Sequence, residues 1–129
     1  MINRSKYKLF ALLMFLLFVG AASYAQQNSV ITGTVSDKEG AAIPDAQVTI
    51  TATATGFANT AVTNSVGLFN FPGLNVGTYD LKVVAKGFQT HVAHGLSLSV
   101  SQTLRTDVSL AVGSVNDTVT VEANALTVQ

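Results

Sequence analysis

Short segments in which apolar and polar residues alternate follow one another along the chain from Val30 onward. In the first of them Ile31, Gly33 and Val35 alternate with threonine and serine, and residues 46–53 repeat the pattern with Val, Ile and Ala. Because successive side chains of a strand point to opposite faces, each segment predicts a strand with one buried face. Gly, Pro, Asn and Asp separate the segments and no helical period is visible among them, which is typical of an all-β sandwich or partial barrel.

The segment from residue 66 to residue 88 predicts two strands of a half-buried antiparallel hairpin. We interpret Pro72-Gly73 and the glycine-containing residues after them as the tight turn between its arms. In the second arm Tyr79 and Leu81 belong to the apolar face and Lys82 to the polar face. We therefore expect Tyr79 and Leu81 in the core and Lys82 in solvent.

Two further strand pairs follow from the same alternation. Residues 60–63 are expected to meet residues 68–71 across a turn. Residues 96–100 and 104–110 are expected to complete one sheet whose outer face carries serines and charged residues.

Residues 1–25 predict a signal peptide. Arg4, Lys6 and Lys8 precede an apolar run, and small residues lead up to Ala25, where a signal peptidase would cleave. The alternative is a membrane anchor, but the apolar run falls short of the ~20 residues that cross a bilayer as a helix. We expect export with cleavage after Ala25 and no stable transmembrane segment afterwards.

The chain after residue 25 is long enough for one domain and carries a net negative charge. Three of the seven basic residues lie before Ala25, so four basic side chains face seven acidic ones, a difference of −3. A nucleic-acid partner needs clustered Lys and Arg, so this charge argues against one. The chain has no cysteine, which excludes disulfides and thiolate metal sites, and we predict no cofactor.

Five side chains are candidate metal ligands. His91 and His94 are the only histidines, and in a strand positions i and i+3 point to opposite faces, so we expect ordinary exposed loop histidines. Asp37, Glu39 and Asp45 flank one turn and offer oxygens to Ca²⁺, but the sequence lacks the D-x-[DN]-x-[DN]-G pattern. We expect a solvated acidic turn in which the Asp37 carboxylate accepts a bond from a downstream N–H.

The sequence predicts no enzyme activity and one candidate ligand contact. It has no Gly-x-Ser-x-Gly elbow, and the serines of residues 96–101 lie on the polar face of their strand. Phe57, in the predicted loop at residues 54–59, is the aromatic most suited to stack on a sugar ring. The core position expected for Tyr79 removes it from that role.

Several glycine-centred motifs together resemble the carboxypeptidase regulatory-like domain, over about residues 30–110. They are Gly33-x-Val35 with Asp37-x-x-Gly40, Ile43-Pro44-x-Ala46-x-Val48, Gly67-x-Phe69-x-Phe71, Gly77-x-Tyr79-x-Leu81 and Gly87-Phe88. The resemblance implies a seven-stranded antiparallel β-sandwich of the transthyretin-like, carbohydrate-binding-like type at residues 26–112. Asp45 departs from the family, which often has Gly there.

Residues 96–110, with Val112-Gly113-Ser114-Val115 and residues 118–123 after them, resemble the N-terminal domain of Oar-like TonB-dependent outer-membrane receptors. In those proteins a plug and a barrel follow. The resemblance implies a truncated or free-standing receptor module, with residues 113–129 as an extended strand and tail leading toward a plug domain that this chain lacks.

The function expected from these observations is a non-enzymatic accessory or interaction module, exported to the periplasm or outer membrane. Envelope proteins, among them receptor or TonB-system components, are the expected partners. The alternative is a carbohydrate-binding module of the cell envelope, for which Phe57 is the expected contact.

Overall fold

The computed structural model describes residues 3–18, 28–114 and 116–123, in one helix and nine strands. The elements are α1 (Arg4–Phe18), β1 (Ser29–Asp37), β2 (Gln47–Ala52), β3 (Ala58–Val62), β4 (Leu68–Leu74), β5 (Gly77–Val84), β6 (Thr90–Leu98), β7 (Thr103–Arg105), β8 (Val108–Leu110) and β9 (Thr118–Glu122).

Helix α1 contains the basic residues and most of the apolar run of the predicted signal peptide. No helix among the described residues is long and apolar enough to span a membrane. The expected cleavage site at Ala25 lies outside the described residues, so the signal peptide stays a prediction.

Two sheets pack face to face, which confirms the all-β sandwich. One sheet has the order β4-β1-β7, with β8 also paired to β1, and the other has the order β3-β2-β5-β6-β9. The expectation of antiparallel pairing throughout is wrong at three places, since β7 and β8 run parallel to β1 and β9 runs parallel to β6. Strand β7 pairs with the first half of β1 and β8 pairs with its second half. The two short strands therefore occupy the same edge of β1, one after the other.

The core lies between the sheets and consists of the inward apolar residues of each strand. Ile31 and Val35 of β1 are fully buried, as are Val48, Ile50 and Leu81 in the facing sheet. The Phe69 and Phe71 rings of β4 lie 6.1 Å apart at 56° to one another, a tilted arrangement that fills the sandwich centre. Alternation thus predicted the buried face correctly in the first, second and fifth strands.

The predicted hairpin between residues 66 and 88 is wrong. Strand β4 pairs with β1 and strand β5 pairs with β2 and β6, so the two arms lie in different sheets. Pro72 and Gly73 lie within β4, and the chain crosses between the sheets at Asn75 and Val76. Turn-forming residues mark a change of direction, but they do not determine whether the next strand joins the same sheet.

The other two predicted strand pairs fail for the same reason. Strand β3 pairs with β2 instead of β4, and residues 64–67 carry the chain from one sheet to the other. Strand β6 and the pair β7 and β8 also belong to opposite sheets. Val100, expected on an apolar face, is 66% exposed in the connection between them.

The last predicted segment, residues 115–122, is a strand over part of its length. Strand β9 adds to the edge of β6, with Thr90 opposite Thr118 and His94 opposite Glu122. Val115 and residues 124–129 lie outside the described part of the chain.

Candidate interaction surface

Phe57 lies at one end of the sandwich, where the β2–β3 connection reverses direction. The Ala52 N–H donates to the Phe57 carbonyl (2.8 Å), and the Gly56 N–H donates to the Ala52 carbonyl (2.8 Å). Gly56 has φ +72°, which a side-chain-bearing residue adopts only with strain. This tight turn holds the Phe57 ring 65% exposed, as expected from the sequence.

A groove of about 120 Å³ lies beside this ring. Its walls come from the β2–β3 turn and from the β4–β5 connection; they are Ala52, Ala54, Thr55, Phe57 and residues 75–79. The Tyr79 hydroxyl donates to the Asn75 carbonyl (2.7 Å), so this buried tyrosine fixes the groove wall. Pockets that enclose small molecules usually measure ~300 Å³ or more, so this groove suits surface contact.

The two histidines lie in strand β6, which corrects the expectation of loop histidines. They do point to opposite sides of the sheet: His91 is half-buried beside the core and His94 is exposed. A bulge between β5 and β6 at this point aligns His94 with Asp80, and their Nδ1 and Oδ2 atoms lie 2.9 Å apart. The hydrogen bond from His94 holds the pKa of Asp80 below its usual value, and the Gly95 N–H (3.2 Å) acts in the same direction.

His91 borders a second cavity of about 120 Å³, between β8 and β9. Burial lowers the pKa of His91, and the positive charge of Lys38 lowers it further. Val119 and Val121 of β9 also line this cavity, and Val119 lies directly beside His91 on the neighbouring strand. Strand β9 therefore completes the lining of this cavity.

The acidic turn after β1 is stabilised by hydrogen bonds from its backbone N–H groups to the Asp37 carboxylate. The Asp37 Oδ1 atom accepts bonds from the Glu39 and Ala41 N–H groups, both at 2.9 Å, and Gly40 has φ +88°. These bonds confirm the predicted use of the Asp37 carboxylate. In residues 3–18, 28–114 and 116–123, no three His, Cys, Asp or Glu side chains are grouped to hold a metal.

Sequence reasoning missed the Asp80–His94 pair and the approach of Lys38 to His91. The pair depends on the bulge, for which Gly95 at φ +76° is the only local signal. Lys38 follows the end of β1 in one sheet and His91 lies in β6 of the other, so nothing local in the sequence brings them together. The exposure of Phe57, by contrast, could be predicted from its position in a loop.

The order of strands and the two-layer packing define a β-sandwich of the transthyretin-like class. Residues 30–111 match the model of the carboxypeptidase regulatory-like domain, and the chain therefore belongs to this family. The family is a non-catalytic, regulatory-like domain. No curated protein is significantly similar to the chain in sequence.

Solved structures support the fold. A proposed carbohydrate-binding protein from Bacteroides uniformis is similar with a TM-score of 0.54 at 14% identity, covering 64% of this chain and 40% of that one. A streptococcal ancillary pilin has a TM-score of 0.55 at 12% identity, covering 68% and 33%. Catechol 1,2-dioxygenase from Acinetobacter has a TM-score of 0.54 at 11% identity, covering 80% and 60%. This chain spans less than two thirds of each, and identities this low establish a shared fold only.

Proposed function

We propose that this protein is an exported, non-enzymatic interaction module of the cell envelope that acts as an N-terminal accessory domain of a TonB-dependent outer-membrane receptor. The family supports the non-catalytic part of the proposal. The resemblance of residues 96–123 to Oar-like receptors supports the receptor part.

One structural observation carries the proposal. The family match ends at residue 111, yet the chain continues across the sandwich and adds β9 to the five-stranded sheet. The Thr90 N–H donates to the Asp117 carbonyl and the Ala123 N–H to the His94 carbonyl, both at 2.8 Å, which fixes this strand at its two ends. By pairing with β9, the domain fixes the position and direction of the segment that follows its family match. This suits an accessory domain that positions a neighbouring part of a receptor.

The receptor proposal is tested by locating the protein in its native cells. Outer and inner membranes are separated, and an antibody raised against the sandwich is used on each fraction. We expect the signal in the outer-membrane fraction, either at the mass of a full receptor or in a complex with one. A signal confined to the cytoplasm would contradict the proposal.

Export has its own test, which is the N-terminal sequence of the purified protein. We expect Gln26 as the first residue, because small side chains precede it at the cleavage position. Ala25→Leu should block cleavage, since the peptidase reads a small residue there, and Ala54→Leu serves as the control outside that position. An intact N-terminus in the wild-type protein would refute the signal peptide.

Carbohydrate binding is the second candidate, favoured by the exposed Phe57 ring beside its groove. A glycan array with wild-type protein and with Phe57→Ala separates the two functions. Val66→Ala is the matched control, because Val66 is 63% exposed and does not border the groove. A receptor accessory domain should give no glycan signal; reproducible binding lost in Phe57→Ala and kept in Val66→Ala would establish the carbohydrate function.

A further inference from the structure

The two sheets of the described residues end in four strand edges, and three of these edges are protected. Strand β4 contains Pro72, which has no N–H to donate. The β7–β8 edge is interrupted by Asp107, whose Oδ1 accepts bonds from the Thr34 N–H and hydroxyl (both 3.0 Å). Strand β9 carries the charged Glu122. Proline, charge and irregularity are the usual means by which proteins prevent edge-to-edge pairing.

The fourth edge, strand β3, has none of these protections. No Asp, Glu, Lys, Arg or His occurs between Asp45 and Asp80, so β3 and its flanking turns are uncharged. All its residues except Ala61 are exposed, and Val62 is 59% exposed. An uncharged strand with an open side is suited to accept another strand.

The hydrogen bonds to β2 define which backbone groups of β3 are open. The Thr63 N–H donates to the Ala46 carbonyl (2.9 Å) and the Ala52 N–H donates to the Phe57 carbonyl (2.8 Å). Bonding residues alternate along an antiparallel strand, so the odd-numbered residues of β3 bond to β2. The N–H and C=O groups of the three even-numbered residues face away from β2; they are Ala58, Thr60 and Val62.

We propose that strand β3 pairs antiparallel with strand β3 of a second copy of this chain, about a twofold axis at Thr60. In this register Thr60 faces its own symmetry mate and Ala58 faces Val62, so all three open residues exchange N–H···O bonds. The exposed Val62 side chain then packs beside the small Ala58 side chain on the outer face. The two five-stranded sheets become one continuous sheet of ten strands.

The charge distribution favours a second copy over other occupants. A charged strand that pairs with itself sets like charges opposite one another, at a cost in free energy. Strand β3 avoids this cost because it is neutral: Asp80 and Lys82 lie on β5 beyond β2, and Asp45 lies beside Thr63, past the end of β3. Because the edge is neutral, it does not repel its own copy, and it has no charge that would select an oppositely charged partner.

Sedimentation equilibrium of the purified protein tests the association. An interface of one strand pair is at the small end of specific interfaces, so concentrations should extend to ~500 μM. We expect the weight-average mass to approach twice the monomer mass. Thr60→Lys should remain monomeric, because two lysines then meet at the axis, whereas Thr78→Lys adds the same charge to β5 and should still dimerise.

A mixture of variants separates pairing from misfolding. Thr60→Lys and Thr60→Glu should each be monomeric, and their equimolar mixture should dimerise because opposite charges now meet. Amide hydrogen exchange tests the register of the pairing. The N–H groups of Ala58, Thr60 and Val62 should become protected as the protein concentration rises, while those of Asn59 and Ala61 should be protected at every concentration. A wild-type protein that stays monomeric, or a Thr60→Lys variant that dimerises as wild type does, would overturn the proposal. A monomer that binds a neutral extended peptide at β3 would also overturn it and assign the edge to a foreign strand.

Discussion

Asp45 has a backbone conformation that its residue type does not favour. Its φ is +58°, in the left-handed region where a Cβ atom is crowded, and the Asp45 N–H bonds the Thr63 carbonyl (3.1 Å). The family resemblance led us to expect Gly at this position, and the positive φ explains why Gly would suit it. Asp tolerates this region better than most residues, which allows the turn to keep its shape.

Replacement of Asp45 should therefore reveal the strain. We expect Asp45→Gly to raise the free energy of unfolding by about 0.5 kcal/mol and Asp45→Val to lower it by about 1 to 2 kcal/mol. Urea titration measures both. Asn70→Gly in β4 is the control and should destabilise, because Asn70 lacks positive φ and Gly weakens a strand. A loss of stability in Asp45→Gly would show that the carboxylate matters more than the backbone.

His91 gives stability a defined dependence on pH. Its pKa is lowered from 6.5, first by burial and then by the charge of Lys38, so the folded protein favours the neutral ring. As pH falls below 6.5 the unfolded chain takes up the proton first, and stability is lost until the pH has passed the folded pKa. Unfolding free energies at about pH 7.5 and about pH 5 should show this loss, and His91→Gln should reduce it.

Lys38→Ala separates the two causes of the His91 shift. We expect the His91 pKa, followed by nuclear magnetic resonance, to rise toward 6.5 without reaching it, because burial is the larger cause. Lys86→Ala is the matched control, since Lys86 is an exposed lysine that does not influence His91. An unchanged pKa in Lys38→Ala would place the lysine too far from the ring to act.

At the scale of the element, strand β5 shows how completely alternation determines a buried face. Leu81 is fully buried between β2 and β6, and its neighbour Lys82 is exposed on the outer face. We expect Leu81→Ala to cost roughly 2 to 4 kcal/mol, the range for truncation of a buried Leu, and Lys82→Ala to be nearly silent. Denaturant titration of both variants is the measurement. Equal effects would mean that the strand is shifted by one residue, which exchanges its faces.

The buried face of a strand could be predicted from the sequence because it depends on neighbouring residues. The pairing partner of a strand could not, because it depends on residues far away in the chain. The faces of β1, β2 and β5 follow from a repeat of two residues, which any short segment contains. The partner of each strand depends on which sheet it joins, and the turns at residues 64–67 and 75–76 look alike whether the chain returns or crosses over. The same limit applies to the candidate site: exposure of Phe57 is a local property, whereas the Asp80–His94 pair requires a bulge between two strands.

At the scale of the whole molecule, the sandwich depends on apolar packing and backbone pairing. The chain has no cysteine, and its fully buried side chains come from both sheets. We expect residues 26–129 to fold alone, with a β-type circular dichroism spectrum and a melting temperature unchanged by EDTA. Added Ca²⁺ is the control and should leave the transition where it is. A large drop in melting temperature on addition of EDTA would indicate that Asp37, Glu39 and Asp45 bind Ca²⁺.

Strand β1 has a consequence for the order in which the molecule is built. It is the central strand of its sheet, with β4 on one side and, on the other, β7 and β8, which lie about seventy residues later in the chain. The first of these strands to be synthesised is therefore among the last to have both of its edges paired. Until residues 103–110 arrive, β1 has an open edge, although β2, β5 and β6, which cover the inward side of its sheet, have already been made. Completion of this sheet therefore depends on the closure of one long loop.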